Sequence, residues 1–332
     1  TNIMSCGVFS AIAWSSVATA ATMGSVALPY FEKSHYPPKL VLGSLAAGGA
    51  LGNLIPPGIT FIIYGLITET SVGALYLAAI GPSALVIVLF LAVIFYYSIK
   101  LKISAENSTT LTLSAKLLSL IDLFPTLLLI GLVLGTIYAG WATPTESAAV
   151  ACVYAFLVTF LVYRDYKWSE LPRMVHRVVK TVSMVMMLIG FSVAFGYMMT
   201  LMQIPAKITM FFLSISDSKY VFLFLVNLLL LLLGTFMDLA PMLLICTPIF
   251  MPVIAKLGID PVHFGMIMIL NLGIGLITPP VGPTLFVGCA VGKVTMEQVS
   301  KELWPFYGAM CVALLLVTYV PAISLWLPGL MK

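Results

Sequence analysis

The stretch "GNLIPPGITF", residues 52–61, places two adjacent prolines inside a long apolar segment, and "GLITPPVGPTLF", residues 275–286, does so again. A proline removes a backbone N–H and clashes with the preceding turn, so a buried helix opens at such a site. The carbonyl groups freed there need another partner, because lipid offers no hydrogen-bond donor. The two breaks have similar sequences, and the prediction of the fold starts from them.

The composition around the breaks is that of a membrane protein. Of 332 residues, 61% are hydrophobic and 8% are charged, and the mean hydropathy is +1.12. A soluble chain of this length needs more polar surface. A bilayer core of about 30 Å requires about 20 apolar residues per helical span. We therefore expect an all-α polytopic membrane protein, with uninterrupted spans at 75–97, 122–140, 146–163, 181–203, 219–234 and 305–328.

The net charge of +4 does not indicate nucleic acid as a partner, because the basic residues lie in short connections between apolar segments. Membrane topology places such residues there. The densest clusters are Arg164, Lys167, Arg173, Arg177 and Lys180, and Lys100, Lys102 and Lys116. Two predicted spans separate the clusters, so both can face the cytoplasm, and a topogenic role explains each of them.

The chain contains an internal repeat. One constant shift, which carries Pro29 onto Pro252, lays 252–288 over 29–65 without a gap, and we call it the repeat shift. The coincident pairs are Pro29 and Pro252, Pro38 and Pro261, Pro56 and Pro279, Pro57 and Pro280, Gly52 and Gly275, and Gly65 and Gly288. Long spans precede the second copy but not the first. If the halves are equivalent, roughly the first hundred residues of the protein are missing from this chain.

Matched apolar segments interrupted by glycine and proline are typical of secondary transporters. Backbone carbonyls at a break suit a dehydrated hard cation such as sodium, which prefers oxygen ligands. The N-terminus of a half-helix suits an anion. The alternative is that each proline pair is a kink that serves packing.

Longer motifs carry a family resemblance. They are "FMDLAPMLLICTPIFMPVIAKLGIDPVHFGMIMILNLGIGLITPPVGPTLFVG" (236–288), "SSVATAATMGSVALP" (15–29), "NLIPPG" (53–58) and "ATPTESAAVACVYA" (142–155). The whole chain resembles the large membrane subunit of tripartite ATP-independent periplasmic (TRAP) transporters. Two departures are Trp14, where the family usually has glycine, and Pro283, where an apolar residue is more common.

The resemblance implies an elevator-type transporter of the bacterial inner membrane, with inverted repeats, two re-entrant helical hairpins and two broken helices. It implies a small four-helix membrane subunit and a periplasmic solute-binding protein as partners, besides membrane lipid. Na⁺ would be the coupling ion, with no other cofactor. The solute would be a carboxylated small molecule, of the C4-dicarboxylate or sialic acid type.

These expectations divide the chain into four parts. They are a first repeat at 1–99, a connecting loop at 100–121, scaffold-type spans at 122–234, and a second hairpin, broken helix and final span at 235–332.

Asp238 is predicted to lie near the turn of the second hairpin, in a strongly apolar stretch. A carboxylate inside a membrane is costly and indicates function. It would either balance a bound cation or brace the hairpin by accepting backbone N–H bonds. The repeat shift pairs it with Ser15, so the two hairpins predict two non-identical cation sites.

The other predicted cation ligands frame the breaks: Gly52, Asn53, Pro56, Gly275, Thr278 and Gly282. We expect them to supply backbone carbonyls, with side-chain oxygens from Asn53 and Thr278. Asn53 has an alternative role as a plain helix cap.

Ser16, Thr19 and Asn271 are the predicted solute contacts. Hydroxyls in membrane helices also bond back to helix carbonyls, and an amide also joins neighbouring helices, so structural roles stay open for all three. The segment "TPTE", 143–146, is explained more simply as a capping box that opens a span.

Two other function classes compete with sodium-coupled TRAP transport. One is a stand-alone sodium/anion symporter of the same architecture, which would lack a binding protein. The other is an intramembrane enzyme, and the sequence has no HExxH, no GxSxG and no pair of intramembrane aspartates. We therefore expect a transporter that is not an enzyme.

Overall fold

A computed structural model describes residues 2–33, 38–100, 113–164, 167–215, 218–292 and 294–330. Over these ranges the ordered elements are helices and no strand occurs, which confirms the all-α prediction. The α-helices are α1 (Asn2–Ala13), α2 (Ser16–Lys33), α3 (Pro38–Ala50), α4 (Ile59–Thr68), α5 (Val72–Lys100), α6 (Leu113–Tyr138), α7 (Pro144–Leu157), α8 (Leu171–Leu201), α9 (Ile204–Ile215), α10 (Lys219–Gly234), α11 (Leu239–Lys256), α12 (Pro261–Gly275), α13 (Pro283–Gly292), α14 (Met296–Tyr319) and α15 (Ala322–Gly329).

Five helical segments of the described residues are long and apolar enough to cross a membrane. They are Val72–Lys100, Pro144–Tyr163, Trp168–Leu201, Leu239–Lys256 and Met296–Tyr319. Seven shorter apolar helices of the described residues lie before and between these segments. The chain is a multi-pass membrane protein.

The chain forms two compact units. The first comprises Thr1–Asn107 and Gly196–Lys332, and it contains both proline breaks. The second comprises Ser108–Phe195, in which α6 packs against α7. The Tyr154 hydroxyl donates to the Pro125 carbonyl over 2.9 Å, and the hydroxyls of Thr136 and Ser147 lie 2.8 Å apart.

The repeat found in the sequence recurs in the helix bounds. The repeat shift carries α2 (Ser16–Lys33) onto 239–256, which are the bounds of α11. Pro38 and Pro261 begin α3 and α12, since a proline at the first helical position loses no hydrogen bond. Each half therefore contains a pair of helices, a broken helix and a long helix in the same order.

The predicted span 305–328 is wrong at both ends. The helix α14 begins at Met296 and ends at Tyr319, and α15 follows from Ala322. Pro321 has no N–H to continue the helix, which explains the interruption. The predicted connection at 100–121 also differs from the structure, because α6 begins at Leu113 with good helix formers. Residues 101–112 lie outside the described residues.

The capping box predicted at "TPTE" is present. The Thr143 hydroxyl accepts from the Glu146 N–H over 3.3 Å, and the Glu146 carboxylate accepts from the Thr143 N–H over 2.7 Å. Pro144 occupies the first turn of α7. These contacts account for the motif without a ligand.

The helix α12 lies at the centre of the first unit, and it is buried at every position from His263 to Gly275. It contacts α10, α11, α14 and α5. The Tyr64 hydroxyl of α4 donates to the Pro261 carbonyl over 2.7 Å, so the second half of the first broken helix touches the start of the second. Both breaks are thereby held in one packed core.

Candidate functional site

The first break runs from Leu51 to Gly58, between α3 and α4. Leu51–Asn53 form a single 3₁₀ turn, and the N–H groups of Leu54 and Ile55 both donate to the Leu51 carbonyl, over 3.0 and 2.9 Å. Pro56 is buried and has no N–H to donate. The chain leaves the helical path here, and its carbonyls turn to side-chain donors.

Two side-chain hydroxyls donate hydrogen bonds to carbonyl groups of the first break. Thr60 donates to the Asn53 carbonyl over 3.0 Å, and Ser83 donates to the Leu54 carbonyl over 2.9 Å. Asn53 is not the cap of α4, because Gly58 occupies that position. The capping alternative for Asn53 is therefore excluded, and its half-buried side chain lies beside the break.

The turn of the first hairpin packs directly on this break. A Cβ added at Gly52 would lie 2.7 Å from the carbonyl carbon and oxygen of Ser15 and from the nitrogen of Ser16. Real side chains do not approach so closely, so only glycine fits. The Ser16 hydroxyl also donates to the Ala50 carbonyl over 3.4 Å. The predicted residues Ser15, Ser16 and Gly52 are thus brought together.

The second break runs from Leu276 to Gly282, between α12 and α13. The Thr278 N–H donates to the Gly275 carbonyl over 3.0 Å, and the Thr278 hydroxyl donates to the Ile274 carbonyl over 2.7 Å. The Thr284 N–H reaches back to the Leu276 carbonyl over 3.1 Å. The break is therefore a short ordered loop that starts and ends on its own flanking helices.

Backbone carbonyls converge on Gly282, which has a φ of +37°. A Cβ added there would lie 2.9 Å from the Thr278 oxygen and 3.2 Å from the Leu276 oxygen. Because Gly282 has no side chain, the carbonyl oxygens of Thr278 and Leu276 border the space that a side chain would occupy. A cluster of this kind supplies the hard oxygen ligands that alkali and alkaline-earth cations prefer.

The second hairpin packs on the second break through the end of its first helix. A Cβ added at Gly275 would lie 2.5 Å from the carbonyl carbon and oxygen of Gly234. The Val281 N–H donates to the Thr235 carbonyl over 3.3 Å. Backbone therefore meets backbone here, and the contact brings Gly275 and Thr278 close to the turn at Thr235–Asp238.

Asp238 stands at the end of that turn as the N-cap of α11. Its carboxylate accepts from the Leu239 N–H over 2.8 Å, and the residue is exposed. Ser15 holds the equivalent position in the first hairpin, and its hydroxyl accepts from the Ala18 N–H over 3.4 Å. The bracing geometry considered for Asp238 is therefore present, and the exposed carboxylate keeps free lone pairs.

Besides Ser10 on α1, two buried hydroxyls where α2 meets α13 have no hydrogen-bond partner among the described residues. They belong to Thr19 on α2 and Thr284 on α13, and both residues are fully buried. A Cβ added at Gly49 would lie 3.0 Å from both Thr284 Cγ2 and Ala20 Cβ, so α2, α3 and α13 meet at this point. An unsatisfied buried hydroxyl is costly, which indicates that a ligand or water completes the site.

Thr284 was missed by the sequence reasoning. The repeat pairs it with Phe61, so the symmetry that exposed the other positions gave no sign of it. The departure from symmetry was itself the available signal, because a threonine replaces a buried aromatic residue in the second copy.

Asn271 lies deeper, in the middle of α12. Its Nδ2 donates to the carbonyl and to Oδ1 of Asn227, over 3.0 and 2.9 Å, and the Asn227 amide donates to the Thr318 hydroxyl over 2.9 Å. The amide group of Asn271 thus joins α12 to the second hairpin. Its Oδ1 is buried without a partner in the described part of the chain.

A cavity of about 430 Å³ borders the second break, and its lining includes Leu228, Leu232, Thr235, Ile274, Thr278 and Tyr307. Most of this lining is apolar. The Tyr307 hydroxyl donates to the Ile277 carbonyl over 2.5 Å. The second break therefore borders a cavity on one side, and the hydrogen bond from Tyr307 of α14 fixes the backbone of the break at Ile277.

Side chains do not form a metal centre in the described ranges. They contain no group of three or more His, Cys, Asp or Glu residues that could hold a metal ion. That backbone oxygens would hold a cation at either break stays a prediction.

Comparison with known proteins identifies the family. The model of the DctM component of tripartite ATP-independent periplasmic transporters matches residues 1–323. The C4-dicarboxylate TRAP transporter large permease protein DctM of Pseudomonas aeruginosa is 40% identical over 327 residues, which cover 98% of this chain and 76% of that protein.

Two further relatives carry different solutes in their names. The sialic acid TRAP transporter large permease protein SiaM of Vibrio cholerae is 34% identical over 99% of this chain and 77% of its own length. The isethionate TRAP transporter permease protein DctMQ of Oleidesulfovibrio alaskensis is 36% identical over 99% of this chain and 52% of its own length. These relatives are permeases and not enzymes. The chain belongs to the DctM family and is the large membrane subunit of a TRAP transporter.

Proposed function

We propose that this subunit carries out sodium-coupled uptake of a carboxylated solute, of the C4-dicarboxylate or sialic acid type, across the bacterial inner membrane. A periplasmic binding protein would deliver the solute, and a small four-helix subunit would complete the membrane part. The observation that supports this most directly is the contact of each hairpin with a glycine of the facing break, where backbone oxygens gather without side chains.

The cation sites are proposed at these two contacts. At the second, the carbonyls of Leu276 and Thr278 beside Gly282 would form the core of the site, and the exposed carboxylate of Asp238 would add negative charge near the hairpin turn. At the first, carbonyls around Gly52 and the side chain of Asn53 would serve, with Ser15 in place of the aspartate.

The solute is proposed to lie against the first hairpin. Ser16, Thr19 and Thr284 provide buried hydroxyls there, and two of these hydroxyls have no partner in the described structure. The N-terminus of α2 carries partial positive charge that suits a carboxylate. The chain has three arginines, Arg164, Arg173 and Arg177, and none belongs to a hairpin or a break. Backbone N–H groups, hydroxyls and sodium would therefore neutralise the solute.

In the proposed cycle, sodium and solute fill the sites from the periplasm. The hairpins and broken helices then slide together against a scaffold of long spans and the small subunit. Loss of sodium into the cytoplasm would release the solute. The charge of the loaded unit decides whether it moves, because an uncompensated carboxylate is costly inside the membrane.

A melting experiment tests the sodium sites without knowledge of the solute. The purified protein is heated in sodium chloride and in potassium chloride at equal ionic strength, as wild type and with Gly282→Ala. A ligand that binds only the folded state raises the apparent melting temperature by mass action. We expect a sodium-specific rise in the wild type that shrinks in the variant, because the variant alters only the second of the two proposed sites.

The matched control is Gly273→Ala, because a Cβ at Gly273 meets nothing within 4 Å. It should keep the sodium effect. Equal melting temperatures of the wild type in the two salts would overturn the sodium assignment. Uptake into proteoliposomes tests transport itself, with malate and sialic acid as candidate solutes and isethionate, a sulfonate, as the comparison.

A further inference from the structure

The arginines of this chain are confined to one short segment. Arg164, Arg173 and Arg177 are the three that it contains. Together with Lys167 and Lys180 they give 164–180 five basic residues, against the two acidic residues Asp165 and Glu170. A topogenic role needs positive charge near a span, but it does not require arginine and does not require any arrangement around a helix.

An arrangement is nevertheless present. On α8 (Leu171–Leu201), Arg173 lies three and four residues before His176 and Arg177, Lys180 lies four and three residues after them, and all four are exposed. Residues at these spacings share one face of a helix. We call these four residues the basic stripe.

The opposite face of the same turns is aliphatic. At 100° per residue, it carries Leu171, Met174, Val175, Val178 and Val179. From Thr181 to Leu201 the helix has no charged residue and is predominantly apolar. The first turns of α8 are therefore amphipathic, and the remainder is typical of a helix surrounded by lipid.

Length places the basic stripe at the membrane surface. The apolar segment Trp168–Leu201 has 34 residues, which as a helix extend about 50 Å, whereas the hydrocarbon core is about 30 Å thick. The uncharged part, 181–201, is long enough to fill that core. The basic stripe then lies in the headgroup layer, within reach of phosphate groups.

An aromatic cluster marks the same level. Trp168 is 62% exposed, and its ring centroid lies 5.2 Å from that of Phe160 and 5.9 Å from that of Phe156. Exposed tryptophan is enriched where a protein crosses from lipid to water. This observation is independent of the charges and indicates the same depth.

We propose that the basic stripe is a binding site for the headgroups of anionic phospholipids. A guanidinium group offers two parallel N–H donors to a phosphate, which a lysine does not. Aliphatic side chains on the opposite face contact the acyl chains, while Arg173, Arg177 and Lys180 hold the phosphates. The site commits to lipid because it lies beside a span and combines both chemistries. It does not depend on the proposed transport cycle.

The test uses the full chain in neutral detergent and follows its melting temperature as phosphatidylglycerol is added. Bound lipid should raise the melting temperature by mass action. We expect a rise with phosphatidylglycerol and little with phosphatidylcholine. In the variant Arg173→Gln/Arg177→Gln/Lys180→Gln, the lipid concentration needed for half of the rise should increase on the order of 100-fold. Each of the three basic residues contributes a similar free energy of attraction to an anionic lipid surface, and the variant removes all three.

Two variants guard against trivial results. Lys207→Gln/Lys256→Gln/Lys301→Gln removes the same charge at exposed lysines of three different helices, and it should keep the lipid effect. Arg173→Lys/Arg177→Lys keeps the charge and should weaken binding less than the glutamine variant. It also shows that the segment tolerates substitution.

Several outcomes would overturn the proposal. The rise would be equal in the glutamine variant, or equally lost in the lysine control. Phosphatidylcholine or inorganic phosphate would reproduce it. A stripe-dependent rise with an acidic peptide and none with phosphatidylglycerol would assign the surface to a protein partner instead.

Discussion

The two hairpins meet their breaks through opposite ends of their helices. In the first repeat, Gly52 faces the Ser15–Ser16 peptide, at the N-terminus of α2. In the second, Gly275 faces the carbonyl of Gly234, at the C-terminus of α10. Gly52 and Gly275 are equivalent positions of the repeat, but the segments that cover them are not.

The difference follows from where the first helix of each hairpin ends. Under the repeat shift, Ala13 at the end of α1 corresponds to Phe236, whereas α10 already ends at Gly234. The second turn is therefore longer. A backbone carbonyl faces the glycine at both breaks, but the first belongs to the N-terminus of α2 and the second to the C-terminus of α10. Because a helix carries partial positive charge at its N-terminus and partial negative charge at its C-terminus, we expect the second break to hold a cation more tightly.

The largest expected effect comes from adding a methyl group to a glycine at one of the two contacts between backbone and backbone. Gly275→Ala would place a methyl group 2.5 Å from the Gly234 backbone, which cannot move as a flexible side chain can. We expect a loss of about 3 kcal/mol in the free energy of unfolding from this overpacking. Urea denaturation in detergent would measure it.

The comparison between the halves is sharpened by Gly52→Ala, which should cost a similar amount because its methyl group would lie 2.7 Å from backbone atoms. Controls are Gly273→Ala and Gly7→Ala, where a Cβ meets nothing closer than 3.6 Å. If one of the two contact variants were as stable as its control, the two hairpins would not be equally docked.

A smaller effect is expected for Gly282→Ala at the carbonyl cluster. The left-handed φ of +37° costs a non-glycine residue about 1–2 kcal/mol, and the methyl group would approach the Thr278 oxygen. Gly258→Ala serves as control, because Gly258 has a φ of +64° and open space around it. Melting in sodium and potassium should show that only the Gly282 variant loses part of the sodium effect.

Equal sodium dependence in the two variants would show that backbone conformation alone was affected. The cation site would then have to lie elsewhere than beside Gly282.

Two substitutions of Asp238 distinguish its role as a helix cap from the role of its negative charge. Asparagine caps a helix about as well as aspartate, whereas alanine costs about 1 kcal/mol. Asp238→Asn should therefore melt like the wild type in potassium and need several-fold more sodium for the same stabilisation, while Asp238→Ala should lose on both counts.

The first hairpin gives the matched comparison through Ser15→Ala, which removes a cap without removing a charge. It should lower the melting temperature, and it should raise the sodium concentration for half effect less than Asp238→Asn does, because it removes a neutral oxygen and not a charge. A wild-type sodium response in Asp238→Asn would leave Asp238 as a cap alone.

The smallest expected effect concerns Trp14, which has a φ of +52° at the end of α1. Glycine adopts this conformation without steric cost, so Trp14→Gly should stabilise the first hairpin by up to about 1 kcal/mol. The Trp14 indole donates to the Ala11 carbonyl over 2.8 Å. A lower melting temperature in the variant would show that this bond outweighs the backbone strain.

Much of the architecture was predictable from local signals. Apolar length indicated the membrane class, proline pairs indicated the breaks, and the repeat shift predicted equivalent elements in the two halves. These features depend on neighbouring residues in the chain or on a direct match between two segments, which is why the sequence reveals them. The predicted span 305–328 was wrong for a local reason too, because the single proline Pro321 interrupts the helix within a long apolar run.

The contacts across the site were less predictable. Nothing in the sequence shows that Gly275 packs on Gly234, or that the Asn271 amide binds Asn227, because the members of each pair lie on different helices, far apart in the chain. Thr284 corresponds to Phe61 in the first half of the chain, so a match between equivalent residues did not reveal it, and only the difference between them could have. Symmetry predicted the positions of the break residues, and tertiary packing decided which neighbours they meet.

The backbone contacts at Gly52 and Gly275 also affect how such a transporter is studied and how it diverges. Atoms supplied by the main chain are the same whatever the side chain, so an alanine scan probes the proposed backbone ligands only where it replaces a glycine, as at Gly282. Elsewhere it reports on side chains such as Asp238 and on the proposed solute contacts. For the same reason, a substitution at a hydroxyl-bearing position would leave the proposed backbone ligands intact. The proposed solute contacts could then change without any change in the proposed cation sites.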